Sequence, residues 1–211
     1  MTDNATPSPA PATQTPIYEV KIGLIFRSTL TITQEGVQWR GRFVRFSDIV
    51  STGWGGTRHI YNGIPTGTTY DIHLDDRQKR RPMTIRTRRK AVYSTIVDTI
   101  WQMAGIEILT RLLEGLRAGE RYVVGGSMVS DEGIHISRKK LFKDPEVVFF
   151  PWRQVSVVRQ QGNCIIHGER GFSECLPYNE NNNTHIIDYA IEMALQNGLT
   201  RLSDMLQPAA Q

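Results

Sequence analysis

One stretch of this sequence occurs twice, and the duplication restricts what the chain can fold into more than any other feature. At a fixed offset of 90 residues, without gaps, TIVDTIWQMAGIEILTRLLEGL (95–116) lies on HIIDYAIEMALQNGLTRLSDML (185–206). Ile96, Asp98, Met103, Ala104, Leu109, Thr110, Arg111, Leu112 and Leu116 recur as Ile186, Asp188, Met193, Ala194, Leu199, Thr200, Arg201, Leu202 and Leu206, nine identities in twenty-two positions. Helical composition alone does not produce that density, so the chain reads as two copies of one unit. With 211 residues in all, each copy of about 90 residues can bury a core of its own.

The correspondence continues upstream, with offsets that change where loops would fall. QEGVQW (34–39) lies on DEGIHI (131–136), RFSDIV (45–50) on PWRQVS (151–156), and YDIHLDDR (70–77) on NCIIHGER (163–170). Each match is weak, but their common order makes each unit several short strands followed by one long helix. Apolar and polar residues alternate on both sides of QEG in STLTITQEGVQWRGRFVRF and of DEG in SMVSDEGIHIS, the mark of hairpins with one buried face. TYDIHLDD and RPMTIRT form another alternating pair, with Tyr70, Ile72 and Leu74 on one face and Met83 and Ile85 opposite. EVVFFPWRQVSVVR is a continuous apolar run, expected to be buried on both sides or bent at its proline. GWGGTRHIYNGIPTGTT (53–69) reads as a long loop with no counterpart in the second unit, which instead inserts KKLFKDPE (139–146) one hairpin earlier.

The helices carry the strongest periodicity. Val92, Ile96, Ile100, Ala104, Ile108, Leu112 and Leu116 are spaced by four, an apolar stripe of about seven turns and roughly 40 Å. Ile187, Ile191, Leu195, Leu199, Leu202 and Leu206 repeat it. Before the first unit, MTDNATPSPAPATQTP holds four prolines and almost no charge, so residues 1–16 are expected to be a disordered leader. It lacks the basic start and apolar middle of a secretory signal, and no later segment has the ~18 apolar residues of a membrane span. A cytoplasmic protein is expected, with the inner membrane face as a peripheral location.

Short antiparallel strands closed by one C-terminal amphipathic helix resemble the pleckstrin homology-like (PH-like) superfold, a bent β-sandwich whose open corner the helix caps. The resemblance covers nearly the whole chain, from about Ile17 to Gln207, and rests on topology, without a diagnostic motif. It implies an α+β chain of two tandem PH-like units, each an antiparallel β-sandwich or barrel closed by a long helix. The first would span 17–118, with its helix at about 89–118, and the second 120–207, with its helix at about 184–206. Trp101 stands where the family places a Trp in its capping helix; Ile191 occupies that position in the second unit, and Trp152 is not on a helix. Both helices outrun such a cap. Ile108, Leu109, Leu112, Leu116, Leu199, Leu202 and Leu206 are therefore expected to bury on each other, on the neighbouring unit, or on a second chain, which makes a homo-oligomer one outcome.

Chemistry is harder to find. GWGGT and GIPTGTT lack the GK[ST] ending of a phosphate loop and do not open a helix. His73 with Asp75, and His185 with Asp188, could pair, but neither has a third ligand or a nucleophile nearby in sequence. Ser, Cys and Thr occur in no nucleophile-elbow setting. Cys164 and Cys175 have no CxxC or Cys/His spacing; if GERG (168–171) is a tight turn they face each other as thiols in a sheet, and whether they are bonded stays open. No enzyme activity, cofactor or metal is expected.

The charge is concentrated. RQKRRPMTIRTRRK (77–90) holds Arg77, Lys79, Arg80, Arg81, Arg86, Arg88, Arg89 and Lys90 and no acid, so the remainder carries a net −4 against +4 for the whole chain. Arg86 and Arg88 should point away from the face of Met83, Ile85 and Thr87. Cations at a helix start oppose its dipole, which argues against a role in helix stability. Such a cluster attracts phosphates on lipids or nucleic acid, or an acidic protein, and as a charged edge it also discourages wrong strand pairing. The leading expectation is a non-enzymatic binding or scaffold protein that engages protein partners. A peripheral binder of anionic lipid headgroups through 77–90 is the alternative. Nucleic acid is a third, weakened because no aromatic residue for base stacking stands among the cations before Tyr93.

Overall fold

The computed structural model describes residues 15–23, 27–78, 81–140, 143–180 and 183–206, which leaves all but the last two residues of the expected leader outside the described residues. Strands β1 (Tyr18–Ile22), β2 (Ser28–Ile32), β3 (Gly36–Trp39) and β4 (Arg42–Arg45) pair antiparallel in chain order. A 3-10 turn, Phe46–Asp48, leads into a second sheet of β5 (Ile49–Tyr61), β6 (Ile64–Asp76) and β7 (Met83–Thr87). A 28-residue helical rod follows: α1 (Lys90–Ile100), a π turn at Trp101–Gly105, and α2 (Ile106–Arg117).

The second half repeats that order. Strands β8 (Tyr122–Val124), β9 (Ser127–Ser130), β10 (Gly133–Lys140) and β11 (Lys143–Pro151) form one sheet. After the 3-10 turn Trp152–Gln154, β12 (Ser156–Gln160), β13 (Asn163–His167) and β14 (Ser173–Pro177) form another, and α3 (Thr184–Gln196) and a final 3-10 turn, Leu202–Leu206, complete it.

The matched motifs QEG and DEG build the same joint in both halves. In each, the chain turns back so tightly that a Cβ on Gly36 would lie 2.2 Å from the Val44 carbonyl oxygen, and one on Gly133 2.2 Å from that of Phe150. The amide of Phe46 donates to the Glu35 carbonyl at 2.9 Å, and that of Trp152 to Glu132 at 3.3 Å. Phe46 and Trp152, aligned in the sequence, thus bury their rings at equivalent points beneath equivalent hairpins.

Those joints also overturn the expected sandwich or barrel. Among the described residues the chain is mostly β, its strands arranged as four separate small antiparallel sheets, not closed barrels. At each passage from the four-stranded to the three-stranded sheet, the 3-10 turn with its buried aromatic interrupts the hydrogen-bond ladder that closure would have to carry through. Mixed α+β remains a fair description of the element content; closed units do not. The second long helix is corrected as well, because α3 stops at Gln196 and Gly198 adopts φ +65, which an L residue rarely tolerates. The second LTRL therefore lies beyond the helix, and Leu202 opens the 3-10 turn instead.

Other expectations shift by small steps. The buried apolar residues of β6 are Ile72 and Leu74, paired with Ile85 and Met83 as expected. Those of β13 are Cys164 and Ile166, with Cys164 opposite Leu176. Equivalence thus runs at an offset of 92, one less than the letter match gave, since a one-residue slip would turn the buried set outward. The same slip separates the cysteines: Cys175 pairs with Ile165, so Cys164 is buried on one face and Cys175 exposed on the other, both as free thiols. The apolar run EVVFFPWRQVSVVR bends at Pro151, where β11 gives way to the 3-10 turn, and Val147 and Phe149 are exposed, so the run is not buried on both sides. Finally, residues 53–69 are no loop; they belong to the hairpin β5–β6.

Helix packing joins the two halves. Ile96 and Ile186, and Ala104 and Ala194, are buried at matched positions. The α2 rod packs on the turn Leu202–Leu206, where the Arg117 guanidinium donates to the Ser203 carbonyl at 2.8 Å. Asn183, at φ 60, exchanges two hydrogen bonds with Thr52 of β5, from its amide at 2.7 Å and to its side-chain oxygen at 2.9 Å. Among the described residues no helix is long and apolar enough to cross a membrane.

Candidate functional site

Strand β7 sorts the basic segment by pleat. Met83, Ile85 and Thr87 face the core while Thr84 and Arg86 face out, and the chain then presents Arg88 and Arg89 before α1 begins at Lys90. Arg86 lies opposite Asp71 of β6 and donates to its carboxylate at 2.5 Å, a bond that holds the guanidinium proton above its ordinary affinity. Arg89 reaches across to the Lys21 carbonyl at 2.6 Å and so ties the helix start to the end of β1.

Between these elements lies a cleft of about 1210 Å³. Its walls carry Lys21, Arg27, Arg86, Arg88 and Arg89, with His59 on the β5 side, against two acids, Glu19 and Asp71. Since Arg86 already engages Asp71, the positive excess is carried by the remaining four cations and opposed by Glu19 alone.

The structure divides the eight sequence-identified cations. Arg86, Arg88 and Arg89 line the cleft. Arg77 and Arg81 are exposed at the opposite end of β7, where the Arg81 carbonyl accepts a hydrogen bond from Arg42, and Lys90 is exposed at the helix start. Lys79 and Arg80 lie outside the described residues. Lys21, Arg27 and His59 join the cleft without a local sequence signal of their own, because they come from β1, the chain after it, and the β5–β6 hairpin, brought together only by folding. One local signal was there to read: Asn-Gly between apolar residues in IYNGIP is a hairpin signature, and it returns the chain past His59.

The helix stripe is covered within the chain. Ile108, Leu112, Leu116 and Leu202 are buried, and Leu109, Leu199 and Leu206 are partly buried against the same core.

A second polar cluster occupies the junction of the halves. His185 is stacked between Trp54 (4.6 Å) and Tyr178 (4.1 Å), with its Nε2 2.8 Å from the Trp54 carbonyl; burial lowers its pKa. Trp101 meets Trp54 and Tyr189 edge-on. Asp188 does not pair with His185. It receives two hydrogen bonds from Arg159 at 2.7 and 2.8 Å, one from the Tyr178 hydroxyl at 2.7 Å and one from the Cys164 thiol at 3.6 Å. Burial, then the Asp188 charge, pushes the Cys164 thiol up to about 12, and burial also raises Tyr178. The other sequence pair separates too, His73 meeting Thr84 at 3.1 Å and Asp75 receiving the Ser51 hydroxyl at 2.6 Å. Among the described residues no three His, Cys, Asp or Glu side chains gather as a metal site.

Comparison with protein-family models, curated proteins and solved structures returned no match to this chain.

Proposed function

We propose that this chain is a non-enzymatic binding protein whose first half takes up anionic, phosphate-bearing groups in the cation-lined cleft. The observation that carries the reading is the convergence of five Lys and Arg side chains from β1, the segment after it, β7 and the turn between β7 and α1 on one open cavity with only two acids. Like charges crowded together repel, and a bound anion relieves that repulsion. The non-enzymatic part is supported by the Asp188 cluster, whose carboxylate is occupied by structural donors and whose thiol is held protonated, opposite to what a nucleophile needs. The repeated order of four strands, three strands and a helix supports a distant relation to PH-like proteins.

Titration with tripolyphosphate at low salt tests the cleft. Binding should weaken by about tenfold or more when Lys21, Arg27 and Arg88 become Gln, and should weaken with added salt. Arg77→Gln with Arg81→Gln should leave it unchanged; equal losses from both sets would reduce the cleft to general surface charge.

A second reading, docking of a protein partner, is favoured by the outer face of the β8–β11 sheet. Val123, Met128, His135 and Phe149 follow one another as cross-strand neighbours, with Val123 78% and Phe149 41% exposed. The matching row of the first half is Glu19, Thr31, Gln38 and Phe43, far more polar. Val123→Ser with Phe149→Ser should abolish capture of a specific protein from lysate, and undiminished capture would remove this reading.

A further inference from the structure

The hairpin β5–β6 is much longer than its sheet needs. Each strand has 13 residues, paired from Ile49↔Asp76 out to Tyr61↔Ile64. Strand β7 covers β6 only from Tyr70 to Leu74, so beyond Thr57 and Thr69 a two-stranded ribbon projects alone, exposed from Gly56 to Gly67. Asn62 and Gly63 close it with φ 48 and φ 77, the turn whose twist matches that of a hairpin. The corresponding hairpin of the second half, β12–β13, has strands of five residues and no such arm.

The arm ends in exposed apolar groups: Ile60 is 61% exposed, Tyr61 71% and Ile64 67%. Tyr61 and Ile64 are cross-strand partners and share one face, while Ile60 and Pro65 share the other. Apolar groups therefore surround the tip. A protein surface covers one face of a ribbon, whereas a fluid apolar medium covers both. Charge points the same way, since residues 49–70 contain no acid and Arg58 and His59 stand directly behind the tip. Thr57, His59 and Thr69 of the arm line the cation cleft, so the apolar tip and the five cations belong to one surface of the molecule. From Thr57 to Tyr61 a strand rises roughly 13 Å. That is comparable with the ~5–10 Å by which interfacial elements enter the boundary between headgroups and acyl chains. Cations at the foot then lie level with the phosphates.

We propose that the arm anchors the first half on an anionic lipid surface, with Ile60, Tyr61 and Ile64 entering the bilayer interface while the cleft holds headgroup phosphates. The proposal rests on the anion-binding reading of the cleft and names a membrane as the source of the anion. Apolar insertion and electrostatic attraction each bind weakly alone and act together at one surface.

The test is co-sedimentation of the full chain with vesicles of phosphatidylcholine, with and without phosphatidylserine, run beside tripolyphosphate titration. The protein should pellet with the anionic vesicles. Ile60→Ser, Tyr61→Ser and Ile64→Ser together should reduce that by about tenfold or more and leave tripolyphosphate binding intact. Lys21→Gln, Arg27→Gln and Arg88→Gln should reduce both. Tip variants that pellet like the parent overturn the arm proposal and leave the cleft reading standing; vesicle binding without tripolyphosphate binding overturns the cleft reading. Tyr61→Trp supplies an independent readout, because brominated lipid should quench its fluorescence beyond the parent's, and absence of extra quenching also overturns insertion. Tip-dependent dimers in light scattering without vesicle binding would assign the arm to a second copy of the chain and overturn the lipid proposal.

Discussion

The two halves of this protein share a frame and differ at its margins. Ile96 and Ile186, Ala104 and Ala194, and Gly36 and Gly133 do the same work in each. Other matched letters do not. Asp98 is exposed, whereas Asp188 is buried under Arg159, Tyr178 and Cys164. Arg111 donates to the Ile49 carbonyl of its own half, while Arg201 binds Glu132 at 2.9 Å and lies 3.5 Å from Asp131. The first half extends β5–β6 into an arm where the second keeps a short hairpin. Matched letters thus mark an inherited position, and its neighbours decide what the residue does.

The hardest test of the shared frame is at the two close glycines. Gly36→Ala and Gly133→Ala each place a methyl against a backbone oxygen that cannot swing aside. Each should cost about 3 kcal/mol or more, by strand displacement. Chemical denaturation should show similar losses for the pair, and tolerance at one site would break the equivalence of the two hairpins.

Next come the echoed leucines. Leu202 is fully buried while Leu199 is only partly so, because the chain leaves the helix at Gly198 between α3 and the final turn. Leu202→Ala should lose about 3 kcal/mol and Leu199→Ala about 1. On the continuous helix Leu112 and Leu109 should show the same ranking, since Leu112 is buried and Leu109 partly so. Reversed order in either half would mean that the packing between α2 and the turn is not the one described.

The matched acids should differ most sharply for their size. Asp188→Ala removes the acceptor of two Arg159 bonds and the Tyr178 bond. Breaking a buried pair costs more than a surface one, but Arg159 is 42% exposed and regains water, so the expected loss is about 2 kcal/mol. Asp98→Ala should stay within about 0.5 kcal/mol. Equal losses would place the two acids in equal surroundings and sink the contrast.

Much of this organisation was legible in the sequence, for definite reasons. The first helix was placed within a residue at each end because its apolar stripe is long and Gly119 follows it. The β6–β7 register was legible because Tyr70, Ile72 and Leu74 alternate against Met83 and Ile85. The second helix was overrun because Leu199, Leu202 and Leu206 continue the spacing, while the stop at Gly198 is a single residue inside a matching stretch. The arm is hard to see in the sequence because Gly and Thr, typical of loops, dominate residues 53–69, while a single Asn-Gly turn organises it. The sandwich failed because alternation specifies which face of a strand is buried and is silent on whether the next sheet joins the same ladder. Half of the cleft was invisible for a related reason: Lys21, Arg27 and His59 are isolated in sequence and meet Arg86, Arg88 and Arg89 only through the approach of β1 to β7.

The mildest contrast is between His185 and its counterpart Thr95, which is exposed. Burial between Trp54 and Tyr178 lowers the pKa of His185 below its ordinary 6.5, so the folded chain keeps the ring neutral where the unfolded chain would take a proton. The unfolded state therefore binds more protons just below pH 6.5, and unfolding becomes easier as pH falls. The contribution is fully present above 6.5, is lost as pH descends toward the lower folded value, and stops changing beneath it. His185→Phe keeps a ring in the stack but cannot titrate, and it gives up the hydrogen bond to the Trp54 carbonyl at all pH values. Unfolding free energies measured from pH 7.5 downward should accordingly differ by a constant above 6.5, and below it the parent should lose stability relative to the variant. Because only the difference between the two curves is read, titration of the other four histidines cancels. Parallel curves throughout would mean that water reaches His185 in the folded chain, and that the seam between the halves is looser than the stacked rings imply.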